Sequence, residues 1–110
     1  MSVLETDIID YIYLDDDAET PVLVVSDPLT WKPPEDERHL DVLRDKLNAQ
    51  IAFVETGQLK GVWPRYAGGF VRVEVVARCP LSGPAAHFYF VARQVMSTAN
   101  MDLRFQLLDA

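Results

Sequence analysis

Cysteine, histidine, clustered base and long apolar runs are all scarce in this chain, and each scarcity removes a class of function. Cys79 is the single cysteine among 110 residues. An internal disulfide is therefore excluded, and one unpaired thiol suits a reducing compartment. His39 and His87 are the only histidines, and neither has a His or Cys at a metal-ligand spacing. Ten Lys and Arg stand against seventeen Asp and Glu, a formal net charge of -7. The arginines at 38, 44, 65, 72, 78, 93 and 104 are scattered one at a time. Without a basic patch such a molecule repels nucleic acid, and a basic protein partner suits it better. No apolar run approaches the roughly 20 residues that cross a bilayer. The opening "MSVLETDIID" has neither the basic region nor the apolar core of a signal peptide. The expectation is a cytoplasmic protein with no membrane or nucleic-acid partner.

What is present is ordinary globular material. Hydrophobic residues make up 49% and charged residues 25%, so a folded chain with one domain over residues 1–110 is expected. "DIIDYIYLD" alternates with period two: Ile8, Asp10, Ile12 and Leu14 point one way, Ile9, Tyr11 and Tyr13 the other. "DDDAET" interrupts it, and "PVLVVSD" follows as a second strand, so the two read as a hairpin.

The second strand stops inside "LVVSDPLTWKPPED". Pro28 disfavours helical dihedrals at Asp27 and has no N–H for a ladder. Asp27 is therefore read as the end of a strand, its side chain bonding nearby backbone N–H groups as in an Asx-turn. Trp31 is read as a plug over one end of the core.

From Pro33 to about Leu59 the pattern is helical. Glu35, Asp36 and Glu37 suit the positive end of the helix dipole. Leu40, Leu43, Leu47, Ile51 and Val54 draw an apolar stripe, and Gly57 is a natural stop. "FVRVEVVARC" alternates again, with Val71, Val73, Val75, Ala77 and Cys79 on one face and Arg72, Glu74 and Arg78 on the other. A second helix begins after Ser82, its expected N-cap, with Phe88, Val91, Ala92, Val95 and Ala99 inward and Asn100 at its end. "MDLRFQLL" closes the chain as a strand, with Leu103, Phe105 and Leu107 inward.

The fold class is therefore α+β. A two-layer sandwich is expected, in the order ββαβαβ, with a four-stranded mixed sheet and both helices on one face. Two right-handed crossovers moving the same way give the strand order 1-2-3-4, with strand 1 antiparallel to the rest.

"LVVSDPLTW", "HLDVLRDKLNAQIAFVETGQL" and the strand-helix-strand ending together resemble a family of small uncharacterised bacterial domains of unknown function. Its first motif commonly resembles Thr-Ile-Ser-Asp-His-Leu-x-Trp. The resemblance runs from about Asp7 to about Leu107 and departs at Pro28, where many members carry His. It implies a bacterial, cytoplasmic, single-domain protein and supplies no catalytic residues.

Chemistry-bearing patterns are few. His39 reads as a solvated or locally hydrogen-bonded side chain. "DDDAE" lacks the order of a calcium loop. Cys79 continues the register of a buried strand face, so it is expected to be buried and unreactive. Gly68-Gly69 precedes a strand rather than a helix, so it makes no phosphate loop. No catalytic residue, cofactor or metal site is assigned, and an enzyme is not expected. What remains is a surface. Trp63, Arg65 and Tyr66 share one loop and are types enriched at binding hot spots. Phe90 sits about 200° from Phe88, on a second side of its helix.

The expected function is a non-catalytic protein-binding domain, comparable in charge and size to an immunity or antitoxin-like protein with a basic partner. The alternatives are a small-molecule binder or small enzyme with a pocket near Trp63–Tyr66, and a structural homodimer.

Overall fold

The computed structural model describes residue 4 and residues 11–14, 20–64, 66 and 68–108. The expectations for Ile8, Ile9, Asp10, the acidic run at 15–19 and Arg65 lie outside these. The elements are β1 (Tyr11–Leu14), β2 (Pro21–Asp27), α1 (Glu35–Glu55), α2 (Gln58–Val62), β3 (Val71–Ala77), α3 (Gly83–Ser97) and β4 (Met101–Leu107). The sheet order is β1-β2-β3-β4. β1 runs antiparallel to β2, while β2, β3 and β4 are parallel. This is the α+β arrangement expected, with one short helix more than the alternation suggested.

Register explains which side is covered. Leu23, Val73 and Leu103 form one cross-strand row, and Val25, Val75 and Phe105 the next. These rows pack with Leu43 and Leu47 of α1 and Tyr89 and Met96 of α3 in one core. The intervening residues Arg72, Glu74 and Asp102 stay half-exposed on the other side, where the Tyr13 hydroxyl donates to Glu74 at 3.1 Å. Leu107 departs from the expected inward set. It lies at the end of β4 and is exposed.

Local chemistry places the helix ends. Glu35, Asp36 and Glu37 occupy the first turn of α1. Gly57 takes φ 84°, a left-handed backbone that glycine adopts without a Cβ clash. There α1 stops and the chain turns into α2, whose Leu59 is fully buried. Ser82 accepts from the Ala85 N–H at 3.2 Å, as an N-cap should. Asn100 has φ 58° and ends the turn after α3.

Both long helices bury a face rotated from the expected one. On α1 the buried set is His39, Leu43, Lys46, Leu47, Gln50 and Phe53. Leu40, Ile51 and Val54 are half-buried and pack at its margin. On α3 the buried set is Ala85, Tyr89 and Met96, flanked by half-buried Phe88 and Ala92. Val91 and Val95 are 44% and 56% exposed. In each helix two overlapping stripes satisfy the 3–4 spacing, and contact with the sheet selects between them.

The buried face of α1 is unusually polar, and neither end of the Gln50 side-chain amide has a hydrogen-bond partner. A buried unsatisfied polar group costs about 1–3 kcal/mol. Gln50→Met, of similar length and apolar, is expected to raise stability by about 1–2 kcal/mol. Urea unfolding checks this. An unchanged or lower midpoint would give the amide a role that the fold alone does not supply.

Candidate functional site

Asp27 is the last residue of β2. Its Oδ1 accepts from the Leu29 N–H at 3.1 Å, the expected turn bond. Its Oδ2 lies 2.6 Å from His39 Nε2. Both residues are only 1% exposed, so His39 is a buried side chain rather than a solvated one. The ring's other nitrogen, Nδ1, lies 2.9 Å from the Thr30 carbonyl. Trp31 stacks on the ring with centroids 3.5 Å apart and planes 17° apart.

Proton accounting follows from the partners. A carbonyl oxygen only accepts, so Nδ1 carries a proton and donates to Thr30. The short Nε2–Oδ2 contact then needs a second proton between ring and carboxyl. An imidazolium beside a carboxylate satisfies it, and so does a neutral ring beside a carboxylic acid. In both cases every ring nitrogen is committed. His39 has no lone pair left for a substrate or a metal, and the pair is sealed from solvent. The arrangement is a clamp. It ties the end of β2 to the first turns of α1, while the Asp27 carbonyl accepts from Arg78 N–H at 3.1 Å just past β3.

Tyr89 lies close enough to feel this pair. Burial holds its phenol above the ordinary value of 10.0; the Asp27 charge adds to the rise, and Arg93 opposes it. Its hydroxyl has no hydrogen-bond partner. A proton bound more tightly in the folded state stabilises fully below pH 10.0 and is lost as pH climbs toward the raised folded value. Tyr89→Phe is expected to leave neutral stability within about 1 kcal/mol and to flatten the alkaline decline. Denaturation midpoints across the alkaline range check this. An equally steep decline in the variant would assign the alkaline effect to another group.

Cys79 is half-buried rather than buried. β3 ends at Ala77, so Cys79 lies past the strand and outside the register that implied burial. Among the described residues no group of three or more His, Cys, Asp or Glu could hold a metal ion. No described helix is long and apolar enough to cross a membrane.

The residues expected at a binding surface are distributed as follows. Trp63 and Tyr66 are half-buried and pack against the core. The Tyr66 N–H donates to the Trp63 carbonyl at 3.0 Å, and the Tyr66 hydroxyl donates to the Gly69 carbonyl at 2.7 Å. Phe90 is 58% exposed on α3, one turn before Arg93.

A second surface escaped the sequence pattern. A groove of about 290 Å3 runs between α1 and α3, lined by Leu47 and Ile51 on one side and Phe88, Val91, Ala92 and Val95 on the other. Its apolar residues on α3 are the stripe expected to face the core. The signal was present as surplus: α3 carries more apolar positions than one buried face can use. At 100° per residue, Glu37, Asp41 and Glu55 fall along the α1 side of this groove, roughly within a quarter turn of its centre. All three are exposed. Arg44 lines the groove too and pairs with Asp41 at 3.4 Å and Asp45 at 3.8 Å.

Arg93 closes another surface. Its Nε donates to the Leu103 carbonyl at 3.2 Å, and β4 is a terminal strand of the sheet. A charged side chain bonded to an edge carbonyl obstructs strand-to-strand pairing with another chain.

Comparison with curated proteins and with solved structures finds no match. A family model does match, over residues 1–109. With nearly its whole length covered, the chain belongs to a family of unknown function, DUF6572.

Proposed function

We propose that the protein is a non-catalytic protein-binding module, and that the groove between α1 and α3 receives an amphipathic helix with basic flanking residues. The observation that carries this reading is the exposed apolar stripe Val91 and Val95 facing Ile51 and Leu47 across the groove. A groove of this kind takes the apolar face of a helix at i, i+3, i+4 and i+7 spacing. Acidic residues along the α1 rim and a net charge of -7 select basic flanks, and they speed encounter at low salt. The sealed Asp27–His39 clamp supports the non-catalytic half of the reading. Trp63, Arg65, Tyr66 and Phe90 remain proposed contact residues. An immunity or antitoxin-like role against a basic toxin fits the same charge and size by analogy alone. The bond from Arg93 to the edge strand weighs against a homodimer built by strand pairing.

The test is an NMR titration with two model helical peptides, one of Leu and Lys in a seven-residue amphipathic pattern and one of Leu and Glu in the same pattern. The Lys peptide is expected to shift Ile51, Val91 and Val95 saturably at low salt, more weakly at high salt. The Glu peptide is expected to leave them unmoved. Equal response to both peptides, or shifts confined to another face, would sink the proposal.

A further inference from the structure

β4 ends the sheet, so one side of its backbone has no strand beside it among the described residues. In a parallel ladder the N–H and C=O of one residue point the same way, and successive residues alternate. The Asn100 carbonyl and the Leu108 N–H both turn toward β3, where they bond Val71 at 3.1 Å and Ala77 at 2.7 Å. The even positions of β4 therefore serve β3, while Leu103, Phe105 and Leu107 aim their backbone groups outward. The bond from Arg93 Nε to the Leu103 carbonyl shows the same parity from the other side. Arg93 thus closes the edge at Leu103, and no described group fills the outward positions at Phe105 and Leu107. We propose that this open half of the β4 edge accepts an extended, uncharged apolar segment of another protein as an added strand.

The side chains around the open half suit such a strand. α3 carries the chain from the end of β3 back to the start of its parallel neighbour, so it runs antiparallel to β4. Residues before Arg93 therefore lie toward the end of β4, and Tyr89 meets Phe105 there with ring centroids 5.4 Å apart. At 100° per residue Phe90 is about 60° around the helix from Arg93, on the side away from the groove. Phe90, Leu107 and Leu108 are 58%, 42% and 51% exposed. Leu107 and Leu108 are successive residues and point to opposite faces of the sheet, so an added strand meets apolar surface on both. An unprotected edge of this kind is a template for strand pairing. A second copy of this chain is a poor occupant. Two chains of net charge -7 repel, and the Arg93 of each copy would stop the ladder at Leu103. A segment without such a stop pairs up to Arg93. Arg104, on the face beside the edge, is already engaged with Asp102 at 2.9 Å, so nothing there calls for a charged residue on the incoming strand.

The experiment is an NMR titration of the full chain with a short peptide of alternating Val and Thr, capped at both ends. Saturable shifts are expected at the Phe105 and Leu107 amides, with Leu103 little changed. The same peptide N-methylated at alternate residues keeps its apolar side chains and loses its pairing N–H groups. It is expected to bind about tenfold more weakly or less. Arg93→Met uncovers the Leu103 carbonyl, so the shifts are expected to spread to Leu103 while circular dichroism stays native. Absence of saturable shifts at Phe105 and Leu107 overturns the inference. So does an N-methylated peptide that binds equally well, or a folded Arg93→Met in which the shifts still stop at Phe105. Shifts of the same amides on raising the protein concentration alone, with slower diffusion, would make the occupant a second copy and overturn the assignment to another protein. If Arg93→Met does not fold, the N-methylated comparison on the natural chain decides. The groove is read at Ile51, Val91 and Val95, so failure of either proposal is recognisable by itself.

Discussion

Asp27→Ala is expected to lower stability by about 3–5 kcal/mol, because it leaves a buried imidazole facing an empty site. His39→Ala is expected to cost a similar amount, since it strands the Asp27 carboxyl and removes the ring beneath Trp31 as well. The geometry makes a finer statement. Asn at position 27 can still accept from Leu29 and can donate its amide N–H to His39 Nε2, so it keeps both hydrogen bonds with one proton fewer. Asp27→Asn is therefore expected to cost less than half of what Asp27→Ala costs. The double variant Asp27→Ala/His39→Ala is expected to lose less than the sum of its parts, as contacting residues do. Urea denaturation of the four variants gives the cycle. Additive losses, or an Asn variant as poor as Ala, would mean that the clamp does not act as a unit. A stable, fully folded His39→Ala would be the more interesting failure, because a buried pair that does not hold the fold together needs another reason to exist.

At the groove, Val91→Asp/Val95→Asp is expected to leave the fold intact and remove binding. Both side chains are about half exposed, and surface substitutions usually change stability by within about 0.5 kcal/mol. Two carboxylates in the apolar floor would have to be desolvated by any apolar ligand face. Affinity for the Leu and Lys peptide should fall by about a hundredfold or more, which is about 2.7 kcal/mol. The added charges also guard against a trivial explanation. They raise the long-range attraction for a basic peptide, so a loss can only come from contact. Undiminished binding by the folded double variant would move the binding surface elsewhere, with Phe90 and the Trp63–Tyr66 turn next in line.

Much of the architecture was legible before any coordinates. Period-two alternation identified β3 and β4, because a sheet covered on one side imposes that period on its residues, while β2 was readable as a short apolar run between turn signals. Proline at position 28 and glycine at position 57 marked ends through backbone constraints that act within a residue or two. Ser82 was readable as a cap for the same reason. The strand order followed from the handedness of crossovers, a rule that needs only the sequence of elements.

The site was less legible. Asp27 was correctly read as a turn residue from its neighbours, since its bond to Leu29 is local. Its second bond reaches twelve positions along the chain to His39, and nothing in the residues between them specifies that meeting. His39 sits in an acidic, solvated-looking first turn, and its burial depends on where Trp31 folds back. Cys79 was misplaced because alternation does not say where a strand stops. Both helices carry two stripes that fit helical spacing, and local pattern cannot rank them. On α3 the sheet chose Ala85, Tyr89 and Met96, leaving Val91 and Val95 outside. The sequence by itself thus determined the strands, the two long helices, their order and the covered face of β3 and of most of β4, because those depend on short-range geometry and periodicity. Only the tertiary structure decided which helix stripe is buried, that Asp27 and His39 form a sealed pair, and that the surplus apolar stripe of α3 faces α1 across an open groove. Each of those outcomes depends on packing between segments far apart in the chain.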